Sequence, residues 1–291
     1  MEKVRIKVPL HITGFWKPIY TRDPITTGSL GAGLNIDSYL IADIMKSSRS
    51  TIILNDKEIN IPTVERVFRY LKSPVTIKAY THAILGAGYG LSAALALAAS
   101  IGTTIVYGMK MNLEKAASIA HIAEVEEATG LGDVIAMYYG GFEVRVKPGP
   151  PGIGEIIKIP YDPSIKIITL ILGKYDTPSM LRRYGMKQYI MAENCLKELL
   201  SYPDLQYFLE LSRAFTKTFF NYNEVEKIID PIKNYLIGYY LKKKVLVMAI
   251  EKDHINDVIE YLNRKKIRHI ISSISLNGIS LEESPLNRYM T

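Results

Sequence analysis

Residues 83–100 are AILGAGYGLSAALALAAS, in which Gly86, Gly88 and Gly90 alternate with single residues ahead of a run of alanine and leucine. The preceding segment, PVTIKAYTHAI, has the pattern of a strand, and the residues after Gly90 have the pattern of a helix. This order brings unpaired backbone N–H groups together at the helix N-terminus, where the helix dipole adds positive potential. The stretch predicts a cradle for an anionic group, and a core helix preceded by flexible glycines is the alternative.

The spacing of the glycines excludes the two standard nucleotide loops. Counted from Gly86, the third glycine of a G-x-G-x-x-G fingerprint falls on Leu91, and counted from Gly88 it falls on Ala93, which the fingerprint permits only weakly. The acidic residue expected at the end of a second strand about twenty residues further on is also absent. The lysine that a Walker A loop requires is absent from the segment. The predicted anion site is therefore of another kind.

Composition limits the classes of protein to consider. The chain has 291 residues, 48% of them apolar, which is enough for two lobes with buried cores. The net charge of +7 favours acidic partners, but the basic clusters at 242–244 and 264–269 lack interleaved aromatic residues, so no nucleic-acid partner is expected. Neither a signal peptide nor a membrane-length apolar stretch is evident, which predicts a cytoplasmic protein without a membrane partner. Cys195, the single cysteine, excludes an intrachain disulfide and is expected to be buried.

Patterns along the chain indicate an α+β fold in two lobes. Strands are predicted at 4–8 and 52–61, and residues 11–35 between them are expected to form one long glycine-rich loop that serves a site. The Pro- and Gly-rich segment PGPPGIG is taken as the boundary, which divides the chain into lobes 1–155 and 156–291.

Helical patterns cover residues 62–71 and the segment after a predicted cap at Asn112, and DVIAMYY forms a further short helix. In the second lobe a strand at 165–173 is followed by helices between about residues 177 and 240, and the chain then continues as strand, helix, strand.

Three segments together resemble the GHMP kinase superfamily. GYGLSAA at 88–94 is similar to its phosphate loop, P-x3-G-L-G-S-S-A-A. AHIAE at 120–124 and TGLGD at 129–133, followed by Gly140 and Gly141, are similar to the helix that carries its metal-ligating glutamate and to the segment that carries its catalytic aspartate.

Further segments resemble one branch of that superfamily, the archaeal pantoate kinases. These are PLHITGF at 9–15, TGSLGAG at 27–33, Arg145, and PGPPG at 148–152. The resemblance covers nearly all of residues 8–155. In the second lobe, the superfamily's other glycine-rich loop is reduced to Gly238 alone, and the sequence assigns no ATP contact there.

The resemblance implies an N-terminal lobe like ribosomal protein S5, a ferredoxin-like C-terminal lobe, and transfer of the ATP γ-phosphoryl group to the 4-hydroxyl of pantoate for coenzyme A synthesis. It assigns ATP binding to Gly86, Gly88, Gly90, Leu91, Ser92 and Ala93. It assigns Mg²⁺ binding to Ser92 and Glu124, and catalysis to these two residues together with Asp133 as the base. It assigns pantoate recognition to Ser29, His121 and Arg145, and it leaves the assembly state open, a homodimer included.

Taken singly, these residues also have simpler interpretations. Ser92 is a common first-turn residue, Glu124 a solvated helix charge, and Asp133 a helix cap. His121 can be a hydrogen-bonded core histidine and Arg145 an exposed strand residue. The competing functions are another GHMP kinase, for homoserine or mevalonate, and a non-catalytic module that binds a nucleotide or RNA.

Overall fold

The computed structural model describes residues 2–175, 180 and 182–282. Twelve strands of this part form two sheets. They span Lys3–Ile19, Gly28–Lys46, Thr51–Leu54, Lys57–Ile59, Val75–Tyr80, Phe142–Lys147, Glu155–Lys158, Lys166–Ile171, Leu236–Lys242, Val245–Ile250, His269–Ser272 and Ser280–Glu282, and are numbered β1 to β12 in that order. The predicted α+β class is confirmed.

The first sheet is built around two long strands. Its main path runs β12-β1-β2-β5-β3-β4. In addition, β6 pairs with the N-terminal half of β2, and β7 pairs with β6. The pairings are antiparallel except for β3 with β5. Because β2 pairs with β5 over residues 41–46 and with β6 over 31–34, this one strand connects the two ends of the sheet.

The prediction of one long loop over residues 11–35 is wrong. Most of this segment lies in β1 and β2, which pair closely along their length with two register shifts. The glycines are there because the strands crowd each other: a Cβ on Gly31 would lie 2.2 Å from the carbonyl oxygen of Phe15, and one on Gly33 would lie 2.2 Å from His11 Nε2. A composition typical of loops here reflects irregular, closely packed strands.

The helices confirm the predicted pattern at 62–71 and after Asn112, whose side chain accepts a hydrogen bond from the Lys115 N–H at 2.8 Å. Those of the described residues span Pro62–Leu71, Leu91–Tyr107, Leu113–Glu126, Asp133–Tyr139, Met186–Ser201, Leu205–Thr216, Asn223–Ile229 and Ile255–Arg264, numbered α1 to α8. Helix α2 is buried over almost its whole length, which explains its alanine-rich, apolar sequence. Among the described residues, no helix has the length and apolar content needed to cross a membrane.

The second sheet has the strand order β11-β8-β10-β9 and is antiparallel throughout. Two buried tyrosines join it to the first lobe: Tyr89 donates a hydrogen bond to Thr169 Oγ1 at 2.8 Å, and Tyr240 donates one to the Ile12 carbonyl at 3.0 Å. The lobe division at residue 155 stays a prediction, and β12, far beyond it, pairs with β1. The predicted start of the helices near residue 177 lies outside the described residues. Cys195 is buried, as predicted.

Candidate active site

A cavity of about 390 Å³ lies where the glycine segment, the ends of α3 and α4, and the turn between β9 and β10 meet. The residues that line it include the predicted site residues Gly86, Gly88, Gly90, Leu91, Ser92, Glu124, Asp133 and Ser29. Ala93 is fully buried behind the loop. Two distant sequence motifs thus share one cavity.

The three glycines of the segment have backbone conformations that other residues adopt only with strain. Gly86, Gly88 and Gly90 have φ angles of +82°, +136° and +65°. Gly90 is the N-cap of α2 and no side chain caps the helix, so its first N–H groups are left for another acceptor. A Cβ on Gly90 would lie 2.6 Å from Met137 Cε and 3.3 Å from Asp133 Oδ2, which shows how close the loop is to α4.

A chain of hydroxyl groups links the two predicted metal ligands. Ser92 Oγ donates a hydrogen bond to Thr63 Oγ1 at 3.1 Å, and the Thr63 hydroxyl lies 2.9 Å from that of Thr129. Thr129 in turn donates to Glu124 Oε1 at 3.3 Å. The spacing of Ser92 and Glu124 is therefore fixed by the turn that follows α3 and by α1, to which the sequence assigned no role in the site.

Glu124 is not a solvated helix charge, because only 2% of it is exposed. Burial, followed by the negative charge of Asp133, raises the pKa of its carboxyl group well above the usual value. A cation in the cavity would favour the ionised form. The interpretation of Glu124 as a surface residue is wrong: the carboxylate is buried at the cavity, where the charge of Lys243 offsets only part of the effect of burial.

Asp133 begins α4, but its side chain does not cap that helix; the N-cap is Gly132. Its Oδ1 atom instead accepts hydrogen bonds from His11 Nδ1 at 2.7 Å and from Thr13 Oγ1 at 3.3 Å. Its Oδ2 atom makes no hydrogen bond within the described part of the chain and faces Gly90. The side chain is 23% exposed, which leaves Oδ2 open to the cavity.

The charge of Asp133 is held by its neighbours. Burial raises the pKa of this carboxyl group, but the hydrogen bond from His11 and the charges of His11, Lys242 and Arg145 together outweigh burial and hold the pKa well below its usual range. Asp133 is therefore ionised at neutral pH.

Behind Asp133, a buried row of charges continues into the first sheet. His11 Nε2 donates to Glu143 Oε1 at 2.9 Å, and Arg145 Nη1 donates to the same oxygen. Burial lowers the pKa of His11, but the two carboxylates raise it by more. A ring that donates from both nitrogens is an imidazolium, so negative and positive charges alternate from Asp133 to Arg145.

The three residues assigned to pantoate lie around Gly132. A Cβ on Gly132 would lie 2.6 Å from Ser29 Oγ and 2.7 Å from Arg145 Nε, so these two side chains are neighbours. Arg145 is 1% exposed, which rules out a plain surface role, and its Nε has no hydrogen-bond partner among the described residues. His121 Nε2 donates to the Thr27 carbonyl at 2.8 Å, and burial lowers its pKa, so the ring is neutral. Ser29 lines the cavity, whereas His121 and Arg145 lie behind its wall.

Several site residues were missed at the level of sequence, because their partners are far away in the chain. His11 and Thr13 fall inside the PLHITGF segment, but the residue that they contact is 122 positions from His11. Lys242 was grouped with the basic cluster at 242–244 and given no role in the site, yet it is 7% exposed and lines the cavity. A lysine at the end of an otherwise apolar strand, LIGYYLK, was the signal available.

The donor atoms in the cavity suit Mg²⁺ that arrives with a nucleotide. Among the residues that the structure describes, no group of three or more His, Cys, Asp or Glu side chains is arranged to hold a metal. Mg²⁺, however, is usually held by one or two carboxylates together with substrate phosphates and water. Glu124 and Ser92 supply hard oxygen atoms of that kind on the cavity wall.

Fold and cavity together define a GHMP kinase. The family model described as the GHMP kinases N terminal domain matches residues 60–141. A solved structure named as a phosphotransferase related to the CoA biosynthesis pathway superposes with a TM-score of 0.86 at 24% identity, over 99% of this chain and 100% of that one. The mevalonate diphosphate decarboxylase of Staphylococcus aureus superposes with a TM-score of 0.73 at 12% identity, over 97% and 98% of the two chains. These likenesses show the fold.

Sequence relatives give the narrower family. The chain is 36% identical to the pantoate kinase of Methanocaldococcus jannaschii over 219 residues, which are 71% of this chain and 77% of that protein. It is 31% identical to the pantoate kinase of Thermococcus kodakarensis over 228 residues, 74% and 75% of the two chains. The chain belongs to the pantoate kinase family of the GHMP kinases.

Proposed function

We propose that the protein phosphorylates the 4-hydroxyl group of pantoate with ATP and Mg²⁺, a step that leads to coenzyme A. One observation carries the proposal: the free Oδ2 atom of Asp133 lies beside Gly90 at the same cavity, so a phosphate donor on the glycine loop and an alcohol beside Asp133 can meet. The relatives named above support pantoate as that alcohol.

ATP phosphates bind at the uncapped N-terminus of α2 in this proposal. The N–H groups of the first turn donate to phosphate oxygens, and the glycines let the phosphates approach the backbone without a Cβ in the way. Glu124 and Ser92 hold Mg²⁺, which supplies positive charge that offsets the phosphate oxygens. The hydroxyl chain through Thr63 and Thr129 keeps Ser92 and Glu124 in register.

Asp133 orients the acceptor. Because His11 and Thr13 occupy Oδ1, the Oδ2 atom is left to accept the hydrogen bond of the pantoate hydroxyl. As the hydroxyl oxygen bonds to the γ-phosphorus, the bond from that phosphorus to the bridging oxygen of ADP breaks and the hydroxyl proton passes to Oδ2. His11 keeps its two protons and holds the carboxylate in position.

In this proposal, the residues around Gly132 recognise pantoate. Ser29 lines the cavity and its hydroxyl can donate to a small carboxylate, while the guanidinium of Arg145, buried next to Ser29, supplies positive charge at that end of the cavity. His121 acts indirectly through its hydrogen bond to Thr27, two residues before Ser29.

A coupled assay for ADP release tests this function, with pantoate, homoserine and mevalonate offered separately in the presence of Mg²⁺. We expect turnover with pantoate to exceed that with either other alcohol by at least about a hundredfold in kcat/KM, the discrimination typical of a site built to pair polar groups. Fastest turnover with homoserine or mevalonate would contradict the substrate assignment, and absence of ADP release with all three would favour the non-catalytic binding module. The product is checked by phosphorus NMR as a phosphate monoester.

A further inference from the structure

The turn between β9 and β10, together with Lys242 at the end of β9, is packed directly against the glycine loop. The Lys244 N–H donates a hydrogen bond to the Ala87 carbonyl at 3.1 Å, and a Cβ on Gly88 would lie 2.6 Å from the Lys242 carbonyl oxygen. The second lobe thus reaches the loop through its backbone at two adjacent points. This turn occupies the part of the second lobe to which the sequence assigned no contact.

From this turn the Lys242 side chain runs inward along the cavity wall. Its Nζ lies 3.7 Å from the centre of the Trp16 ring, and the residue is only 7% exposed. Burial lowers the pKa of this ammonium group to about 7, and the charge of Asp133 acts in the opposite direction. Within the described part of the chain, Lys242 forms no hydrogen bond or ion pair through Nζ; its one direct partner is the face of Trp16.

The surroundings of the Lys242 ammonium group favour a bound anion. The Lys242 ammonium group lies on the cavity wall, largely removed from bulk water and without a hydrogen-bond acceptor in the described part of the chain, so an anion bound beside it would be stabilising. Glu124 and Asp133 both line the cavity, Lys243 is near Glu124, and Lys242 is the lysine whose charge acts on Asp133. A lysine is a compact charge with three donors on a flexible stem, which suits a phosphoryl group that changes position as it moves.

We propose that Lys242 is a catalytic residue whose ammonium group donates hydrogen bonds to the phosphoryl group during its transfer from ATP to the acceptor hydroxyl. This inference rests on the proposed function, since it assumes phosphoryl transfer between the glycine loop and Asp133. Lys242 forms no covalent bond and keeps its protons: the acceptor oxygen bonds to phosphorus, ADP leaves, and the hydroxyl proton goes to Asp133. Its contribution is to offset negative charge on the oxygens of the transferring group.

Lys242→Met tests the proposal, because methionine keeps most of the stem volume against Trp16 and removes the charge. We expect kcat to fall by about a hundredfold to a thousandfold, the usual loss for one charge-stabilising donor, while KM for ATP and for pantoate each change by less than about threefold. Lys244→Met is the matched control: Lys244 is two residues from Lys242, its side chain is exposed, and its hydrogen bond to the loop is made by its backbone N–H. It should retain kcat within about twofold, as exposed substitutions usually do.

A binding measurement separates this role from a structural one. Calorimetric titration with Mg²⁺ and ADP, with and without aluminium fluoride and pantoate, compares the ground state with a mimic of the transferring phosphoryl group. Lys242→Met should bind ADP alone as the wild type does but should lose at least about tenfold of the extra affinity that aluminium fluoride provides, the worth of one hydrogen bond to a charged group. Lys242→Gln, which keeps a donor without the charge, is measured in the same way and replaces Lys242→Met if that variant does not fold.

Three results would overturn the proposal: an unchanged kcat, a rise in KM for pantoate alone, which would make Lys242 a contact of the substrate carboxylate, or an equal loss of ADP affinity with and without aluminium fluoride. If the wild type turns over a different alcohol, the proposed substrate fails, but the same comparison runs with that alcohol and still decides the role of Lys242.

Discussion

Replacing Asp133 by asparagine tests the centre of the mechanism. The amide can keep its oxygen at the Oδ1 position, where it still accepts from His11 and Thr13. Its NH₂ group then occupies the Oδ2 position, which faces Gly90 and the cavity. A proton acceptor is thus replaced by a donor at the one atom that the mechanism requires, with little change of shape.

The magnitude follows from the two roles of the carboxylate. Loss of a general base lowers kcat by about a hundredfold to ten-thousandfold, or roughly 3 to 5 kcal/mol in activation free energy. The charge-assisted hydrogen bond from His11 becomes a neutral one, which should lower the free energy of unfolding by about 1 to 2 kcal/mol. Part of this loss of stability is offset, because the substitution removes the negative charge of Asp133 that raises the pKa of Glu124.

The assay is turnover at saturating ATP, Mg²⁺ and pantoate, with thermal unfolding measured on the same preparation. Asp43→Asn is the matched control: its carboxylate is paired with Arg5 at 2.7 Å and Lys3 at 3.0 Å in the first sheet, so it also loses a charge and an ion pair. That control should keep kcat within about twofold, since Asp43 and its two partners are not among the residues that line the cavity. A folded Asp133→Asn enzyme with kcat within a few fold of the wild type would refute the base assignment.

Three further substitutions address the phosphate, metal and substrate contacts. Gly90→Ala places a Cβ 2.6 Å from Met137 Cε at a φ of +65°, so ATP affinity should fall at least about tenfold by equilibrium dialysis, and unchanged affinity in a folded variant would count against the cradle. Glu124→Gln removes the charge that holds Mg²⁺, so activity measured as a function of Mg²⁺ should reach half its maximum at about tenfold higher concentration, whereas an unchanged metal dependence would separate Glu124 from the metal. Arg145→Met should raise KM for pantoate by at least about tenfold while ATP affinity is kept, and an effect on ATP alone would assign Arg145 to the other ligand. Because Arg145→Met leaves buried Glu143 without its arginine partner, the double variant with Glu143→Gln should recover part of the lost stability but not the KM.

The fold was largely predictable where the signal is local. The φ angles above zero at Gly86, Gly88 and Gly90 and the uncapped start of α2 depend on residues within one turn of each other, so the spacing of glycines before an apolar run was sufficient. The cap at Asn112 is local in the same way. The loop prediction for residues 11–35 was wrong because glycine is common both in loops and in strands that pack closely. Only the pairing of β1 with β2 shows that these glycines belong to strands.

The sequence by itself determined the phosphate-loop pattern, the two-lobe α+β class and the family to which the chain belongs. Only the tertiary structure decided how the charges are arranged. His11 meets Asp133 from 122 positions away and Glu143 from 132, and Lys242 reaches the cavity from the other lobe. A carboxylate that caps a helix and one that is held by a buried imidazolium have the same sequence signature, because ionisation and solvent access depend on what surrounds the group in space. Burial and long-range pairing are properties of the packed chain, so the roles of Asp133 and Lys242 become visible only there.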